Sequence, residues 1–112
     1  MSLFSKTLVP LSALAVFAIG APSVAFAAGP EIFQAQKCNG CHSVKAANIA
    51  RLPNPEVDNA PDLSHVGSSL DKKGIALFVL KKTEIKGEKH KKAFQGTTEE
   101  LKTVAEWLAG LK

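Results

Sequence analysis

The chain has 112 residues and carries 14 Lys and Arg against 10 Asp and Glu, a net charge of +4 at neutral pH. That length holds one domain at most, and so mild a basicity falls short of the dense basic surface that nucleic-acid binding calls for. No internal repeat is visible.

Residues 1–27 read as a removable leader. Lys6 supplies the positive start, "TLVPLSALAVFAIG" the apolar run, and Gly20 and Pro22 break the helix before Ala25-Phe26-Ala27, an A-x-A cleavage pattern. Cleavage is expected after Ala27, leaving a domain over residues 28–112. An uncleaved membrane anchor is the alternative, but the apolar run is short of the roughly 20 residues that a bilayer span needs. Lys6 is the only charged residue of the leader, so its removal leaves +3. An exported chain meets an oxidising compartment, where two cysteines can pair. A domain this small buries little surface and often carries a staple.

The first helix is expected to open at Gly29-Pro30-Glu31, with proline and an acid in the first turn. It carries Ile32, Phe33 and Ala35 and should end near Gly40. "SVKAANIARLPNPEVDNAPDL" follows, where Pro53, Pro55 and Pro61 forbid regular helix or central strand across the second half. So long a loop in a small domain is usually functional or wrapped around something. The second helix is expected from Asp71 as N-cap through "KKGIALFVLKK", although the apolar run Ile75–Leu80 also fits a buried strand. The third helix, "TTEELKTVAEWLAGLK", opens with Thr97 and Glu100 in capping-box spacing. Leu101, Val104, Ala105, Leu108 and Leu111 line one face, with Trp107 beside them.

The chemistry sits in "QKCNGCHSV". The spacing C-x-x-C-H lets two thiols add across the two vinyl groups of a haem while the next histidine reaches the iron. Cys38 and Cys41 are therefore expected to form thioethers and His42 to be the proximal ligand. The haem would also be the staple. A thioredoxin-type motif needs a βαβ setting that is absent here. A zinc site needs two more well-spaced ligands, and only His65 and His90 remain as nitrogen donors.

Residues 29–112 resemble a class I c-type cytochrome of bacteria. The likeness rests on "KCNGCHSV", on "APDLSHVGSSL" and on "GTTEELKTVAEWLAGLK", which is similar to the family's closing helix. It implies an all-α fold, three main helices and long loops wrapped around one covalently bound haem c, with the first and last helices crossing. It also implies a periplasmic one-electron carrier that converts no substrate itself. The family's G-P-x-L turn, whose proline carbonyl accepts a hydrogen bond from the haem histidine, corresponds here to Ala60-Pro61-Asp62-Leu63. That gives Pro61 the role and departs from the pattern at Ala60.

The family's distal methionine lies shortly before the last helix, but the sole methionine here is Met1. The matching segment is "GEKHKKAFQG", where His90 stands in the methionine's place and Phe94 follows. Bis-histidine ligation by His42 and His90 is the expectation, with a potential lowered because methionine raises it. His65, a lysine such as Lys89 or Lys91, or an open sixth position are the alternatives. An open or displaceable position would make the chain a gas-binding or sensing module, and an off-iron His90 a small peroxidase. Residues 81–92 hold six lysines against two glutamates, a local +4. They read either as a solvated loop or as a docking rim for acidic redox partners. The processed chain is expected to be a monomer that does not span a membrane.

Overall fold

The computed structural model describes residues 24–53 and 60–112. The leader read over residues 1–27 lies, as far as residue 23, outside the described residues, and so does Pro55 in the long loop. Three α-helices follow one another: α1 (Val24–Ala35), α2 (Lys72–Val79) and α3 (Thr98–Ala109). Among the described residues there is no strand, only two isolated antiparallel bridges, Val44 with Ile49 and Ile85 with Glu88. The architecture is all-α, as the helical spacings predict.

Helix α1 differs from its sequence reading at both ends. It starts at Val24, not at Gly29, so Pro30 lies inside it. Proline has no N–H for the carbonyl four residues back, yet the upstream residues continue the helix. It stops at Ala35, short of Gly40, because Lys37 takes a left-handed conformation with φ 63°. A left-handed residue ends an α-helix, and the chain then enters a separate 3-10 turn, Cys38–Gly40. Helix α2 begins where expected, with the Asp71 carboxylate accepting the Gly74 N–H at 2.7 Å. It ends at Val79 rather than at Lys82, and Lys81 is again left-handed. Helix α3 has the full capping box: Glu100 N–H donates to Thr97 Oγ1 at 3.1 Å, and Thr97 N–H to Glu100 Oε1 at 2.8 Å.

Helix α3 is the hub, packing on both α1 and α2. Its buried residues are Val104, Ala105, Trp107 and Leu108, so Trp107 belongs to the core itself, while Leu101 is half-buried. Phe33 of α1 meets Trp107 edge to face, with centroids 5.7 Å apart, a geometry worth ~0.5–1.5 kcal/mol beyond area burial. The helices approach so closely at Gly29 that a β-carbon there would run into the Trp107 side chain. Val44, Ile49 and Ile75 complete the core. Together these contacts fix α1, and the turn after it, against the end of α3.

Candidate haem site

A cleft of about 730 Å³ opens between the turn after α1 and the loop after α2. Cys38, Cys41 and His42 line one side, and residues 88–95, with His90 among them, line the other. Phe33, Leu63, Phe78, Val79 and Leu108 supply apolar wall. This is the composition of a cofactor pocket: mostly apolar, of ~300–1,000 Å³, with a few placed polar groups.

The tight turn sets the first side. Cys41 N–H and His42 N–H both donate to the Cys38 carbonyl, at 3.1 and 2.9 Å, which folds the two thiols and the imidazole into one patch. The thiols are not joined to each other. Burial pushes the Cys38 thiol up to about 11; its own backbone contact opposes this and the neighbouring Cys41 adds to it. Among the described residues no three His, Cys, Asp or Glu side chains gather as a metal-binding cluster. With haem attached, the two sulfurs would be thioethers.

His42 is held from behind. Its Nδ1 donates to the Pro61 carbonyl at 2.7 Å, which leaves Nε2 toward the cleft. Burial lowers its pKa most; the Pro61 carbonyl opposes that, His90 and Arg51 reinforce it, and Asp62 opposes it. The net effect favours neutral imidazole, the form that ligates metal.

Pro61 is in turn fixed by residues that the sequence reading passed over. The Asp62 carboxylate accepts from Ser43 Oγ at 2.7 Å, from Lys45 N–H at 2.9 Å and from Ser64 N–H at 2.9 Å. Ser64 Oγ accepts Ala46 N–H at 2.9 Å, and Leu63 N–H donates to the Ser43 carbonyl at 2.9 Å. These bonds lace residues 43–46 onto 62–64 and hold the Pro61 carbonyl beside His42. They also hold the Asp62 carboxyl well below the usual carboxylate range, with the Ser43 and Ser64 hydroxyls as the largest causes. The Asp-x-Ser spacing, an Asx-turn signature, was the available signal.

Across the cleft, His90 mirrors this arrangement. Its Nδ1 donates to the Lys92 carbonyl at 2.5 Å, and Phe78 lies edge-on to its ring at a centroid distance of 5.3 Å. The His42 and His90 rings are 12° from parallel with centroids 6.1 Å apart. Two imidazoles bound end-on to one ion place their centres roughly 6 Å apart, taking metal–nitrogen bonds of ~2.0–2.1 Å as the scale and adding each ring's own radius. The donor set therefore fits an iron held between them. His65 is elsewhere: its Nδ1 pairs with the Lys112 carbonyl at 3.2 Å, and it does not line the cleft.

A small helical domain whose cleft is bounded by C-x-x-C-H, with a clamped imidazole opposite, is a haem-attachment domain of the c type. Residues 26–112 match the family model described as Cytochrome c, and the chain belongs to that family. No curated protein and no solved structure matches it. The family carries covalently attached haem c, and its members are typically electron carriers rather than enzymes.

Proposed function

We propose that the chain is a one-electron carrier in which His42 and His90 ligate a single haem iron, of the class I type and of bacterial origin. The observation that carries this is the pair of near-parallel rings, each with Nδ1 engaged by a backbone carbonyl and Nε2 left for metal. A hydrogen bond of that kind fixes the tautomer and raises the basicity of the ligand. When bound, the haem supplies the one-electron ferric/ferrous couple. Cys38 and Cys41 would attach it, His42 and His90 would hold its iron, and the apolar wall would keep water from them. Axial ligands move haem potentials over roughly 0.8 V, and imidazole donates more strongly than thioether. The midpoint is therefore lower than that of methionine-ligated relatives.

The leader and the lysines complete this reading. Cleavage after Ala27 delivers a monomeric domain to the periplasm and puts Pro30 in the first turn of α1, where its missing N–H costs nothing. No helix among the described residues is long and apolar enough to cross a membrane. Lys89, Lys91 and Lys92 line the cleft mouth and extend into the +4 segment 81–92. A rim of this kind steers acidic redox partners at long range, and more weakly as salt rises.

Near-infrared magnetic circular dichroism of the oxidised protein, beside His90→Ala, tests the ligation. A bis-imidazole band is expected in the parent and lost in the variant, and the reduced parent should not bind carbon monoxide. A band that survives His90→Ala removes His90 from the iron. Rapid carbon monoxide binding by the parent would instead establish the gas-binding reading.

A further inference from the structure

The orientation of the His90 ring is itself a built feature. On the His42 side, orientation comes from the Pro61 carbonyl, in a distant part of the chain. On the His90 side, the Lys92 carbonyl lies two residues further along the same loop. It ties the ring to its own loop, and to the body of the protein only as firmly as that loop is held. The direct contact between the ring and a helix is Phe78, whose ring stands at 72° to the imidazole. Phe78 lies in the last turn of α2, anchored through buried Ile75 and by packing on α3. The next residue, Val79, accepts Phe94 N–H at 2.9 Å, which pins the far end of the loop beside it.

We propose that Phe78 is a positioning residue that fixes the plane of His90 parallel to that of His42. The inference rests on the reading of both histidines as iron ligands. An imidazole bound through one nitrogen turns about that bond unless something holds it. The edge-to-face contact supplies the hold, because an aromatic edge and face carry opposite partial charge. The angle between the two planes matters to a low-spin ferric ion. Its single electron hole is shared by two d orbitals of π symmetry. Parallel imidazoles donate into one of them and split the pair, whereas crossed imidazoles raise both about equally.

The angle is read directly by low-temperature electron paramagnetic resonance of the oxidised holoprotein, with near-infrared magnetic circular dichroism reporting ligand identity. The parent should show the bis-imidazole band and a rhombic, three-line spectrum. Phe78→Leu keeps apolar bulk without a ring; the band should stay and the resonance should shift toward a single, strongly anisotropic low-field feature. Phe78→Tyr keeps the ring and should restore the rhombic spectrum. A parent-like rhombic spectrum in Phe78→Leu overturns the role of Phe78 and leaves the ligation intact. A parent without the bis-imidazole band overturns the ligation and the positioning role with it. Should Phe78→Leu fail to accumulate with haem, Phe78→Met carries the same test with the same two outcomes.

Discussion

Asp62 shows how one exposed side chain can govern a ligand that it does not touch. Its carboxylate gathers the Ser43 hydroxyl and two backbone N–H groups, and so sets where the neighbouring Pro61 carbonyl meets His42. Its pKa is lowered in the fold, so the stabilisation is complete above the unfolded carboxyl value of ~3.9. It is lost progressively as pH falls below that value toward the depressed folded one. Asp62→Asn should therefore lower Tm at neutral pH and flatten the acid limb of a Tm-versus-pH curve, measured on the holoprotein between pH 2 and 6 (about the range of carboxyl titration). An acid limb of unchanged slope would assign that sensitivity to other carboxyls. Cys38, Cys41 and His42 were legible in the sequence because their chemistry depends on spacing within one short run. Asp62 was not, because its worth depends on which loop lies across from it.

Among the elements, α3 is the most self-specified. Its capping box and apolar face lie within one stretch of chain, so the Thr97 start needed no tertiary knowledge. The ends of α1 and α2 were misjudged for the same local reason: Lys37 and Lys81 adopt left-handed conformations. Such a backbone is ordinarily the province of glycine or asparagine, and no sequence rule assigns it to lysine. The crossing of α1 and α3 is what the family resemblance implies, but the glycine it needs at position 29 was not legible, since that need comes from Trp107 far along the chain. Gly29→Ala should raise helix propensity and still destabilise. Overpacking at a tight contact costs ~1–3 kcal/mol, more than the ~1 kcal/mol that alanine gains over glycine in a helix. Chemical denaturation should show a lower midpoint, and a midpoint at or above the parent value would mean that the two helices can part without loss.

At the scale of the whole molecule, the cleft draws apolar side chains away from an already small core. The described core holds only eight buried hydrophobic residues, and several of the others, among them Leu63, Val79 and Phe94, turn toward the cleft. Small domains with so slight a core depend on a cofactor, metal or disulfide. The double variant Cys38→Ala, Cys41→Ala, expressed with the export leader, should yield a chain without covalent haem. Its far-ultraviolet circular dichroism should lack most of the parent's helical signal. A helical, cooperatively melting variant would show that the protein shell stands alone. A loop this long is expected to be functional or wrapped around something, and its described end meets the cleft at Ala60, Pro61 and Leu63.

The two histidine clamps close chain loops of very different size. Pro61 lies 19 residues from His42, whereas Lys92 lies 2 from His90. Closing a longer loop costs more chain entropy, so the His90 clamp is nearly free and can form while the rest of the chain is still open. The His42 clamp forms only once Pro61 and its neighbours 62–64 lie across residues 42–46. The cleft thus has one face that assembles locally and one whose completion reports that the surrounding fold is in place.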